Sequence, residues 1–208
     1  DNFDSFPKPA YVYYDVKETR SHWFLFYAVF HPRDYTNDPE CPSGCHENDL
    51  ESVQLAVRKD GSKHGTLDTM QCLHHSSMAL YTNSEDIEGG TMEVAGPVSF
   101  IRGRPIVYSE KYGHGLYGTA DESLFANPHF VDVVRYVYTG RAEVPGDIPD
   151  PKTGYDLLPI YDTIWQHRSC SGQGKCFDNL FEYRGAALPA SIDGDDYELL
   201  GTLLAPSF

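Results

Sequence analysis

In the stretch His46-Glu47-Asn48-Asp49-Leu50-Glu51-Ser52-Val53-Gln54-Leu55-Ala56-Val57 a loop gives way to a strand: Asp49–Lys59 alternates as an extended strand does, and Asp60-Gly61 ends it as a hairpin-type turn signal. Side chains on a strand point alternately to its two faces, so Asp49, Glu51, Val53, Leu55 and Val57 share one face. Val53, Leu55 and Val57 must look into a core. The two carboxylates then stand at the mouth of that core, about 7 Å apart at Cα by strand rise. Two anions on a core-facing line are costly unless something positive sits between them. Arg58, the first basic residue after them, points to the other face.

Strand candidates surround this stretch. Ala10–Val16 is rich in tyrosine and β-branched residues, and His22–His31 is a continuous apolar run of the kind buried on both faces. A polar, Pro-rich loop follows over Pro32–Gly44. Thr66–Cys72, Met78–Thr82, Thr91–Arg102, Pro105–Glu110 and Asn127–Gly140, the last carried by Val131–Tyr138, read as further strands, with Pro145–Gly154 as a loop. Leu157, Leu158, Tyr161, Ile164 and Trp165 recur at helical spacing, which predicts a short helix over Ile160–Arg168. The expected fold is all-β: one β-sandwich domain over residues 1–208. Residues 141–208 decorate it with the short helix and long loops.

Composition bounds the rest. The 208 residues suit one domain, and 40% hydrophobic content suits a packed core. The aromatic share rests on 15 Tyr and 11 Phe, while 18 Gly and 14 Pro supply turns. A net charge of −15 without a Lys/Arg cluster repels phosphate backbones and excludes nucleic-acid binding. No apolar run is long enough for a transmembrane helix. Of the five cysteines, Cys41/Cys45 and Cys170/Cys176 are spaced as local clips of an oxidising compartment, leaving Cys72 as a thiol; the alternative is five reduced thiols. The acidic start at Asp1 has no leader character, so the expectation is a secreted protein whose signal peptide has been removed.

A divalent cation is the simplest local answer to Asp49 and Glu51. The preceding segment supplies His46 and Asp38. Carboxylates plus one imidazole suit a single Ca²⁺ or Mg²⁺, with Mn²⁺ also accommodated. The rivals are Zn²⁺ held by Cys41, Cys45 and His46, and a solvated acidic edge with no ion. His114, in Gly113-His114-Gly115, is presented at a strand end, as are His74 and His75.

At these residues the sequence resembles a known family. His46-Glu47-Asn48-Asp49-Leu50-Glu51 is similar to the G-H-R-H-D-W-E motif of the necrosis- and ethylene-inducing-peptide-like proteins, secreted β-sandwich cytolysins that bind a divalent cation and recognise plant sphingolipid glycans. His74–Tyr81 resembles that family's S-A-H-G-x-Y segment. Arg104–Tyr108 with Gly113-His114 resembles its H-P-K-V-V-Y…T-H segment. A D-W-E strand also occurs in vacuolar-sorting-type β-sandwich proteins. The resemblance spans roughly residues 10–118 and implies Asp38, His46, Asp49 and Glu51 as ligands. The chain departs from the motif at Cys45, Asn48 and Leu50.

Three functions follow as expectations. The first is a secreted, cation-dependent binding protein of cytolysin or lectin type, recognising a glycan or a membrane lipid headgroup. The second is a metal-dependent hydrolase in which His114 or His75 acts as base. The third is a structural Ca²⁺ site in a β-sandwich. No G-x-S-x-G, H-E-x-x-H, P-loop or dinucleotide fingerprint is present.

Overall fold

The computed structural model describes residues 9–34, 46–74, 77–90, 92–120, 135–145, 152–163, 182–183 and 186–187, with the side chains of 32–34, 46–48, 182–183 and 186–187 outside the description. Five strands run as an antiparallel meander: β1 (Tyr11–Glu18), β2 (His22–Asp34), β3 (His46–Arg58), β4 (Thr66–His74) and β5 (Ser77–Tyr81). Beside β5 lies β6 (Val94–Gly96), parallel to it. On the other edge β12 (Thr153–Pro159) pairs parallel with β1, and β11 (Tyr136–Tyr138) parallel with β12. The mixed eight-stranded sheet has the order β11-β12-β1-β2-β3-β4-β5-β6.

Three two-stranded sheets accompany it: β7 (Phe100–Ile101) with β8 (Arg104–Pro105), β9 (Tyr108–Ser109) with β10 (Leu116–Tyr117), and β13 (Glu182–Tyr183) with β14 (Ala186–Ala187). The β7–β8 turn has Arg102 and Gly103 at φ 51° and 74°, the paired positive φ of a tight hairpin. The β9–β10 hairpin lies against β3 and β4 and makes a second layer. The all-β sandwich expected from the sequence is therefore present.

The core lies between these layers. Val53, Leu55 and Val57 from β3, Met70 and Cys72 from β4, and Ala79 and Tyr81 from β5 pack with Val98 and Leu116. Trp23, Leu25 and Tyr27 of β2 close its flank. Each large apolar side chain buried there contributes about 1.5–3 kcal/mol. The opposite face of the sheet is also covered: Phe24, Phe26, Ala28, Leu50, Leu73 and Leu80 are buried. The apolar run of β2 thus does face burial on both sides.

The structure corrects the sequence reading in several places. Leu157 and Leu158 lie on β12 and residues 160–163 form a turn, so the described part of the expected helix is a turn that follows a strand. Residues 164–168 lie outside the described residues, and no helix occurs among those described. Leu157 and Leu158 are adjacent and lead into the turn, and so short an apolar run is not told from helical spacing by periodicity. The expected strand Thr91–Arg102 divides into β6 and β7, because Pro97 carries no N–H for a continuing ladder. Pro105–Glu110 likewise divides between β8 and β9. β2 continues through Asp34, into the segment read as loop, and β12 starts at Thr153, inside the loop expected up to Gly154. Cys41, Cys45, Cys170 and Cys176 lie outside the described residues; Cys72 is a fully buried free thiol, as expected.

Candidate functional site

The alternation that defines β3 places Asp49 and Glu51 on the core face, and both are fully buried, at 0% exposure. The antiparallel register sets His31 of β2 directly across from Asp49 and Val29 across from Glu51. On the other side, Val53 faces Cys72 of β4, so His74, two positions on, stands on the same face. The end of the sheet beyond the apolar core is therefore a patch of acids and imidazoles.

The β9–β10 hairpin completes it. Glu110 N donates to Gly115 O and closes the loop between the two strands. Gly115 is pressed against β4: a Cβ there would stand 2.9 Å from His74 Cβ and 3.2 Å from Glu110 Oε2. The neighbouring His114 adopts φ 57°, a left-handed backbone that side chains rarely take. That conformation brings Nδ1 of His114 to 2.6 Å from Asp49 Oδ2, and Nδ1 donates to the carboxylate. The His114 ring also stacks on His31, centroids 3.8 Å apart and planes within 4°. Backbone strain retained where a side chain meets a buried carboxylate is a mark of functional sites.

A second cluster backs the first. Tyr117 OH donates to Glu110 Oε1 at 2.8 Å, and the Tyr117 ring stacks on His74 at 4.7 Å. Glu110 is 5% exposed, a third nearly buried carboxylate. Burial first, then the hydrogen bond to Glu110, pushes the Tyr117 phenol above its ordinary range. Burial, followed by the charge of His114, holds the His31 imidazole well below its ordinary range. Burial, and then Glu51, likewise pushes the Cys72 thiol up.

The chemistry of this donor set fits a hard cation in part. Asp49 and Glu51 offer carboxylate oxygens on one line, in surroundings where charge is costly. Among the described residues no three His, Cys, Asp or Glu side chains converge as an ion-holding group. The remaining donors expected from the sequence fall elsewhere: Asp38 and His75 lie outside the described residues, and His46 is the first residue of β3, its side chain outside the description. The structure joins Asp49 to His114, which are far apart in sequence.

Sequence reading missed His31, Glu110 and Tyr117 as members of the site. His31 was legible only as the end of an apolar strand. Its partnership with Asp49 depends on a register set across the intervening 35–45 segment. Glu110 and Tyr117 carried a weaker signal: both flank the Gly113-His114-Gly115 turn on opposite arms of a hairpin.

Fold and site together define an all-β sandwich protein with a buried carboxylate–imidazole cluster at one end of its main sheet. No protein-family model matches the chain, and no curated protein matches its sequence. Two solved structures align with it: one described as non-toxic HaNLP3, at 19% identity and TM-score 0.33, the other as a toxin fold for microbial attack and plant defense, at 18% and 0.32. In each case the alignment covers 53% of this chain and 46% of the other, so the chain spans about half the length of these proteins.

Proposed function

We propose that the chain is a secreted, divalent-cation-dependent binding protein whose ligand is a glycan or a membrane lipid headgroup. The observation that carries this reading is the complete burial of Asp49 and Glu51 on one face of β3, with His114 held in a left-handed backbone against Asp49. Asp49 and Glu51 would hold the ion, with His46 and Asp38 as further donors. Ca²⁺ or Mg²⁺ suits these oxygen-rich ligands best. The ion would neutralise the carboxylates and offer open positions to ligand oxygens. Secretion is supported by the spacing of Cys41/Cys45 and Cys170/Cys176.

Thermal unfolding under chelation tests the reading. EDTA should lower the melting temperature, and Ca²⁺ or Mg²⁺ should restore it. At a hundredfold excess over Kd the stabilisation is about 2.7 kcal/mol. Asp49→Asn and Glu51→Gln should abolish the response. A flat response of the native protein to EDTA, Ca²⁺, Mg²⁺, Mn²⁺ and Zn²⁺ would remove the central claim. Stabilisation without any hit on glycan arrays or lipid vesicles would leave a structural ion site.

One observation favours a second reading, metal-dependent hydrolysis. A buried carboxylate bonded to one imidazole nitrogen is how a general base is oriented, and Asp49–His114 has that arrangement. Cation-dependent turnover of ester or phosphodiester substrates that disappears in His114→Ala would replace the binding reading with this one.

A further inference from the structure

We infer that His31 is a positioning residue for the site, holding the His114 ring in the plane from which it orients Asp49. The inference rests on the cation-binding reading for its functional consequence, but its structural content stands apart from it. Three observations meet at His31. It lies directly across the β2–β3 pair from Asp49. Its ring covers that of His114 at 3.8 Å and 4°. Its Nε2 is buried and has no hydrogen-bond partner among the described residues.

The last point separates His31 from an ordinary satisfied core histidine. A buried polar atom without a partner is a cost that packing alone would remove by substituting an apolar side chain. What an imidazole supplies there is its flat face. The Asp49 bond holds one edge of the His114 ring, at Nδ1. The turn holds its backbone at φ 57°, with Ser109 Oγ donating to His114 O at 3.1 Å and Glu110 N to Gly115 O. The parallel stack adds a restraint of a different kind, on the plane of the ring. The orientation of His114 then fixes where Asp49 Oδ2 points, as outer-sphere partners do for metal-binding carboxylates.

The flat face, not the volume, is the claim, so the test compares His31→Phe with His31→Leu in the full chain. The structural readout is the proton NMR signal of His114 Nδ1–H, protected by its bond to Asp49. The functional readout is the Ca²⁺ midpoint in the thermal-shift titration. His31→Phe should keep the protected signal and a near-native midpoint. His31→Leu should lose the signal and weaken Ca²⁺ binding by about tenfold, the lower end of the usual ~10–100-fold for outer-sphere residues. A His31→Leu protein that keeps the signal overturns the inference, as does a folded His31→Phe protein that has lost it. Should His31→Leu fail to fold, the His31→Phe signal decides by itself. If the native protein binds no cation, the proposed function falls alone, and the NMR comparison still decides the role of His31.

Discussion

Replacing Gly115 by alanine should loosen the hairpin that carries His114 while removing no titratable group. A Cβ at this position would stand 2.9 Å from His74 Cβ and 3.2 Å from both His74 Cα and Glu110 Oε2. The first of these distances is shorter than carbon atoms tolerate. The obstacle is the stem of a residue on β4, so no flexible side-chain end can swing away. Either β10 lifts from the sheet or β4 gives. Overpacking of this kind costs about 1–3 kcal/mol. Taking ~2 kcal/mol and a urea m-value of about 2 kcal/mol/M, the unfolding midpoint should fall by about 1 M. His114 is the adjacent residue, so the protected His114 Nδ1–H signal should weaken in the same variant. Urea unfolding followed by circular dichroism reads the first effect, NMR the second. An unchanged midpoint at an unchanged m-value would refute the close approach of the hairpin to β4 on which the site depends.

Two further outcomes test the core beneath the site. Tyr81 is fully buried, and burial pushes its phenol from the ordinary 10.0 up to about 12. Because the folded value is raised, the neutral phenol's contribution to stability is fully present below pH 10 and is lost as the pH rises through about 12. Ultraviolet titration should therefore show a late phenolate step; all 15 tyrosines titrating near pH 10 with the fold intact would contradict the packing around Tyr81. Cys72 is fully buried with its thiol pushed up, so it should resist a thiol reagent in the native state and react only on unfolding; rapid native labelling at Cys72 would show that the core opens.

The strand Asp49–Val57 and the shared face of its two carboxylates could be read from sequence, because side-chain direction on a strand is a local property of period two. The burial of β2 on both faces was equally legible, since an unbroken apolar run leaves no face for water. Tertiary structure decided what those carboxylates meet. His31 reaches Asp49 through a register set across residues 35–45, a span whose spacing carries no pairing information. His114 reaches it because a hairpin folds back over β3 and β4, a contact between residues 65 positions apart. The helix expected over Ile160–Arg168 drew on Leu157 and Leu158, which lie on β12; the parallel pairing of β12 with β1 is a long-range contact that no local spacing encodes. Local periodicity chose the elements and their faces. Pairing and close approach, which no local pattern encodes, brought Asp49, His31, His74, Glu110 and His114 to one end of the sheet.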